Sequence, residues 1–363
     1  MYSNLNKYKS DFILKFGRLM QENLSCWKEQ QKKYRKKLYT KDLLYYAIAF
    51  VAGMSPGKHE HDYLSNIGMH ITFGIIAVII AIIIAIDIAN KEYQNEVKRT
   101  IFHELLKIFG DIKYDGTTGA IDGMEKLFDD LKNHKISDEE FDKRFEDFAN
   151  IDSGHSSGFL IPKTTFNTTG LFKKEINDRN DDDCFKGKYN NVDFIVDECE
   201  LNYHSPQKKK DYHETLFRGV AMQFNMQKKV NAHIIILSKS FKKPKPNGYE
   251  KVTLEYEKFN KKYDLYVRDY GKNDGQIEAR YLFNTAFLDR FMHIQTSFKV
   301  NKMWCSAQEN KLLILLHTKK DLFEMNHLLG KIEDINQYRT LFNEFASVLS
   351  FIDVLNLSSK TKL

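Results

Sequence analysis

The sequence predicts an α+β fold: a two-helix transmembrane hairpin followed by a cytoplasmic domain with a mainly antiparallel sheet and flanking helices. Three observations carry this. The run Ile71–Ala89, ITFGIIAVIIAIIIAIDIA, is apolar and almost free of charge. Short alternating segments separated by turn residues begin near Thr164. Helical periodicity brackets them at 1–41 and 334–355, as in domains that segregate helices from an antiparallel sheet.

The apolar run is the least ambiguous element. A bilayer span takes roughly 20 apolar residues, and no Asp, Glu, Lys or Arg occurs from Tyr63 through Ile86. Ten isoleucines fall between Ile71 and Ile88 with no polar stripe, whereas a helix on a globular surface keeps a polar face. Asp87 is placed to reach the headgroup region or to pair with Lys91. A second, shorter run, Leu43–Met54, precedes it. Lys28, Lys32, Lys33, Arg35, Lys36, Lys37 and Lys41 lie before that run, Lys58 alone lies between the two, and Lys91, Lys98 and Arg99 follow. Basic, poor, basic is the signature of a hairpin with both ends in the cytoplasm. No small-residue cleavage site follows the first run, so it reads as an uncleaved anchor. The organisation expected is a basic amphipathic helix over 1–41, a hairpin over 42–90 (spans 43–57 and 68–89), a helical connector over 91–150 and a soluble α+β domain over 151–363.

A net charge of +6 gathers near the hairpin, which suits anionic lipid headgroups near 28–41. No nucleic-acid motif accompanies it, and nucleic acid is not an expected partner. Cys26, Cys184, Cys199 and Cys305 have neither CxxC nor zinc spacing and read as reduced thiols. His59, Glu60, His61 and Asp62 crowd one loop, but their spacing suits a polar turn better than a metal. No metal and no cofactor is expected.

Along the chain, Phe12, Phe16, Leu19, Met20 and Trp27 give the first helix an apolar face, suited to a membrane, a partner or the protein's own helices. Lys91–Gly110 continues the anchor as an amphipathic helix through Val97, Ile101, Leu105, Ile108 and Phe109, with Gly110 as its stop. Helices are expected over 124–135 and 138–149, the latter begun by the capping box Ser137-x-x-Glu140. Strands are expected at 191–202 (irregular near Asp197-Glu198), 216–225, 233–237, 252–256 and 263–268. A hairpin of 298–306 with 311–316 should turn at Glu309-Asn310. Helices follow at 285–294, capped by Asn284 or Thr285, at 321–329 and at 334–355.

The blocks Leu216–Gly219 (LFRG), Tyr263–Tyr266 (YDLY) and Glu278–Leu282 (EARYL), with the segment around Asp181–Tyr203, resemble bacterial membrane proteins carrying the domain of unknown function numbered 3137. The resemblance runs from the anchor to about Glu324. Asn284-Thr285 departs from it, since members often have proline in that turn, and members often have lysine where Arg218 stands. It implies a membrane-anchored α+β domain and no particular activity.

Asp181, Asp182 and Asp183 form a run of carboxylates that could hold a divalent cation, though such loops are mostly solvated. Glu278 and Arg280 sit two apart on an expected strand, so on one face. Lys242, Lys243 and Lys245 lie in a proline-broken loop able to touch phosphate or anionic lipid. Asp183, Arg218, Lys242, Lys243, Glu278 and Arg280 are therefore the candidates for a polar or anion-contacting surface. No phosphate loop, HExxH or nucleophile elbow occurs, so catalytic residues stay unassigned. The favoured reading is a membrane-anchored scaffold or binding module presenting its domain to a protein partner. The alternatives are a self-associating subunit of a membrane complex and a membrane-surface enzyme whose pocket would gather Asp183, Glu198 or Arg280.

Overall fold

The structure, a computed structural model, describes residues 12–39, 63–115, 160–205, 212–239, 246–269, 274–298, 302–325 and 327–354, with residues 10, 137, 140 and 300. The expected first span, the His59–Asp62 loop, the helices at 124–135 and most of 138–149, and Lys242, Lys243 and Lys245 lie outside them. Of the capping box, the Ser137 hydroxyl accepts the Glu140 N–H at 3.2 Å.

The first helix opens with a π turn, Phe12–Phe16, and continues as α1, Gly17–Lys37. Its apolar face is buried on the protein's own helices: Trp27 and Phe16 lie against Tyr338, and Phe12 against Phe342. The second helix, α2, is one rod from Tyr63 to Leu106, about 65 Å long at helical rise. Ala85, Ala89, Tyr93, Val97, Ile101 and Leu105 recur every fourth residue along it, and all are buried, forming one stripe that faces the core. Above that stripe Ile75, Ile76, Ile79, Ile80, Ile83 and Ile84 are each about half exposed. Among the described residues no helix is long and apolar enough to cross a membrane; side chains of the apolar run are described only from Ile75 onward.

The rest is α+β with an entirely antiparallel sheet. Its elements are β1 (Ile112–Asp115), α3 (Lys163–Thr168), β2 (Asp178–Tyr189), β3 (Val192–Ser205), β4 (Tyr212–Ser238), β5 (Glu250–Val252), α4 (Glu257–Lys262), β6 (Tyr263–Arg268), α5 (Gly275–Leu282), α6 (Thr285–Ser297), β7 (Lys302–His317) and α7 (Ile335–Val354). The sheet runs β1-β2-β3-β4-β6-β5, and β7 pairs with β4. Strand β4 is long enough to serve two partners on one edge: Tyr212–Phe224 pairs with β3, and His233–Ser238 with β6. Its other edge takes β7.

Both faces of the central strands are covered, which explains the unbroken apolar run Leu312–Leu316. Leu312, Ile314, Leu316, Val220, Met222 and Phe224 face the larger core under α1, α2 and α7. Leu313, Leu315, Phe217 and Ala221 face a smaller core closed by Ile161, Phe166 and Leu171. The strands cross closely at Gly219, whose φ is +143° and where a Cβ would meet the Leu316 carbonyl at 2.0 Å.

Several expected elements are corrected. Residues 216–225 and 233–237 belong to one strand, and 298–306 with 311–316 do not form a hairpin. Instead β7 runs through Glu309, whose φ is +52°, while β4 slips register between Asn225 and Val230. Glu309, Asn310 and Lys311 are polar because this bulge is exposed, not because the chain reverses. Strand β5 ends at Val252, and Glu257–Lys262 is helical. Residues 321–329 are not a helix: Phe323 has φ +58°, and the Leu328 and Gly330 carbonyls are taken by Gln31 and Arg35 of α1. Strands β1 and β2 were not anticipated. Helix α6 does begin at Asn284, whose Oδ1 accepts the Phe287 N–H at 3.0 Å.

Candidate functional site: an acidic cleft at the foot of the apolar helix

The local event that builds the site is a β-bulge. Asn190 and Asn191 take left-handed φ values of 46° and 62°, the pattern of a tight two-residue turn, and fix the pairing of β2 with β3. Cys184 then faces Asp197, but Asp181 faces Cys199. Asp182 and Asp183 therefore share the place opposite Glu198. A bulge re-aims side chains, and here it separates three consecutive carboxylates.

Asp181 is clamped with Asp197 by the guanidinium of Arg179, which donates to Asp181 Oδ1 at 2.8 Å and to Asp197 Oδ2 at 2.7 Å. The ligand atoms of Asp181, Asp197 and Cys199 lie within 4.8 Å of one another, but that cluster already holds its cation in Arg179. Asp183 points inward, 1 % exposed, and accepts from Lys98 Nζ of α2 at 2.9 Å and from the Tyr114 hydroxyl at 2.6 Å. Lys98 Nζ also contacts Glu324. Burial alone would lower the Lys98 pKa, but the carboxylates of Asp183 and Glu324 outweigh it and hold the ammonium charged. Burial raises the Asp183 carboxyl while Lys98 pulls it back.

Asp182 turns to the open side. A cleft of about 590 Å³ lies there, lined on α2 by Asp87, Asn90, Lys91, Gln94 and Lys98. Asp182, Glu198 and Glu200 line the sheet wall, and Thr318, Lys320, Asp321 and Glu324 the wall after β7. That last segment is irregular yet pinned: Gln94 Nε2 donates to the Met325 carbonyl at 2.8 Å, and the Leu328 N–H to Asn90 Oδ1 at 2.7 Å. Asp182, Asp321 and Glu324 each bring a carboxylate oxygen to within 4.8 Å of the others. Asp87 and Lys91 pair at 3.0 Å, as one of their expected arrangements had it.

Glu198 is 8 % exposed; one oxygen accepts the Leu322 N–H at 3.0 Å and the other, Oε2, has no hydrogen-bond partner. Burial pushes its carboxyl up to about 9, with the Asp183, Asp321 and Asp182 carboxylates adding to the shift. Its folded value lies above the ordinary 4.5, so the protonated form favours the fold. That contribution is full below pH 4.5 and is lost as pH rises through about 9. Glu198→Gln, in metal-free buffer, is therefore expected to melt above the wild type at pH 8, the gap closing toward pH 4.5. Parallel melting profiles across that range would contradict this assignment.

The remaining candidates are scattered. Arg218 stands at the cleft rim, largely exposed, 3.8 Å from Glu200. Glu278 is on helix α5 rather than a strand, so Arg280, two residues on, faces elsewhere. Glu278 is buried and accepts the Asn231 and Ala232 N–H groups, each at 2.9 Å, holding β4 where its register slips. Arg280 is exposed and pairs with Gln276 of its own helix; it does not line the cleft. The cleft thus joins Asp182, Glu198 and Arg218, with Asp183 behind them. Sequence spacing missed Lys98, Asp321 and Glu324 because they come from α2 and from the segment after β7, both far from Asp182 in the chain. A lysine amid the apolar stripe of α2 was the available signal.

One further cluster looks catalytic on paper. Ser306 Oγ is 2.9 Å from His233 Nε2, and the Tyr249 hydroxyl is 2.9 Å from Nδ1. All three are buried, and none lines a described cleft. Burial and then Arg268 lower the histidine pKa to about 4, leaving a neutral ring. It is a satisfied polar network inside the smaller core.

Comparison with known proteins adds three findings. No curated protein matches the chain. A solved structure, the crystal structure of the mycobacterial trehalose monomycolate transport factor A, TtfA, is similar at 9 % identity, covering 51 % of this chain and 78 % of that one, with a TM-score of 0.29. Residues 215–357, from β4 through α7, match the family model described as a protein of unknown function, DUF3137; the match includes Arg218, Asp321 and Glu324 but not Asp182, Glu198 or α2.

Proposed function

We propose that this chain is an integral membrane protein, a membrane-anchored binding module whose α+β domain sits against the cytoplasmic face of a bacterial inner membrane and presents the acidic cleft there to a protein partner. The observation that carries the anchoring is the division of α2. Ile75, Ile76, Ile79, Ile80, Ile83 and Ile84 are about half exposed while the stripe from Ala85 to Leu105 is buried, and from Tyr63 to Ile84 the helix rises about 33 Å, close to the roughly 30 Å hydrocarbon thickness of a bilayer. A contiguous apolar surface of that size on a folded protein marks an interaction site.

Helix α1 supports the hairpin. Lys37 meets Glu92 at 2.5 Å, and the Tyr34 hydroxyl meets Glu96, so α1 ends level with the foot of the isoleucine stretch. On this reading the apolar run Leu43–Met54 is the other arm of the hairpin. The basic residues of α1 and the pair Asp87–Lys91 then lie at headgroup level.

Topology labelling tests this. In a Cys26→Ser background, the remaining cysteines being buried, a cysteine at Ser65 is expected to react with an impermeant maleimide in intact cells, and one at Ser359 only after permeabilisation. Reaction of the Ser359 position in intact cells would reject the topology.

A further inference from the structure

The structure assigns the mouth of the cleft a ligand: we infer that Asp182, Asp321 and Glu324 bind one hard divalent cation of the Mg²⁺ class, with Glu198 as the supporting carboxylate. The inference stands on cleft geometry and is independent of membrane anchoring.

Two observations meet there. The first is the convergence of three carboxylate oxygens, from the β2 bulge and the segment after β7, to within 4.8 Å. The second is the unpartnered Oε2 of Glu198, whose side chain is 8 % exposed and lines the same cleft. A polar atom with no partner in so enclosed a place is costly, and a cation that takes the place of the carboxyl proton, directly or through a bound water, relieves it. Charge balance points the same way. Asp182, Asp183, Asp321 and Glu324 surround, among the described residues, a single buried cation, Lys98, which is spent on Asp183 and Glu324. Arg218 and Lys320 at the rim face Glu200 and Glu344 instead.

The donor set decides the class of ion. The converging ligands are oxygens only, which suits hard cations over zinc or copper. Three carboxylates opening on a wet cleft fit an octahedral ion that keeps several waters; Ca²⁺ takes six to eight protein and water oxygens at longer range. Asn180 and Thr318 also line the cleft wall and add neutral oxygens to it.

The test uses the full chain in detergent, stripped with EDTA, titrated with Mn²⁺ and read from the free-ion electron paramagnetic resonance signal. One saturable site per chain is expected, with Mg²⁺ competing better than Ca²⁺. Asp321 is exposed, so Asp321→Asn leaves the fold intact by circular dichroism, and it should weaken binding at least about tenfold, as should Glu198→Gln. Asp87→Asn, in the same cleft but outside the cluster, should leave binding unchanged. Absence of saturable Mn²⁺ binding up to millimolar concentration, wild-type affinity in Asp321→Asn, equal loss in Asp87→Asn, or preferential displacement by Ca²⁺ would each overturn the assignment.

Discussion

Replacing Ile76 and Ile80 together by arginine is expected to release the chain from membranes. Both side chains are 51 % exposed on α2, so neither contributes to the core, and the α+β domain should fold as before. Within a bilayer, by contrast, each arginine near the centre of a span costs about 2.5–3.5 kcal/mol while an isoleucine contributes a few tenths favourably. The pair shifts insertion by about 6 kcal/mol, roughly four powers of ten. Alkaline carbonate extraction reads this directly. Wild type and the double leucine variant should stay in the pellet and the double arginine variant should leave it. An arginine variant that remains pelleted would show that these isoleucines do not face lipid.

Lys98→Met is expected to be the most destabilising single change in the domain. The methionine matches the lysine stem in length and packs in the same stripe, but Asp183, 1 % exposed, loses its counterion and Glu324 its partner. Removing one side of a buried ion pair costs about 3–5 kcal/mol because the other charge stays behind. Denaturant unfolding of the solubilised chain should report that loss near pH 7. It should shrink as the medium is acidified, since the stranded carboxyl then takes up a proton, and the double change Lys98→Met with Asp183→Asn should recover most of it. A single variant as stable as wild type would mean that Lys98 is not the charge that balances the bulge.

Much of this was legible in the sequence wherever one local pattern decided the outcome. The spacing of Val97, Ile101 and Leu105 marks a helix buried on one side, whereas Ala85 and Ala89, read as part of the apolar span, extend that buried side further up the helix. The alternation in β3 and the amphipathic closing helix α7 were likewise readable. The length of β4 and β7 was not. Exposed polar residues at Glu309–Lys311 look like a turn unless one knows that β4 bulges opposite them. Glu278 misled for a related reason: a short segment with carboxylate and guanidinium two apart suits a strand, and only the waiting Asn231 and Ala232 amides show why a helix is placed there. The cleft was least legible. Its carboxylates are drawn from β2, β3 and the irregular segment after β7, and the bulge that turns Asp182 outward and Asp183 inward depends on pairing between strands. Three aspartates in a row reveal the charge but not its division among an arginine, a lysine and open water.

The division of α2 between core and bilayer is the central claim, and site-directed spin labelling of the full chain in lipid nanodiscs tests it most directly. In the Cys26→Ser background, labels at Ile76 and Ile80 are compared with one at Thr100, an exposed position lower on the same helix. The account predicts collision with oxygen and protection from a water-soluble nickel chelate at Ile76 and Ile80, and the reverse at Thr100. Nickel accessibility at Ile76 and Ile80 equal to that at Thr100 would place the whole helix in water and contradict the account.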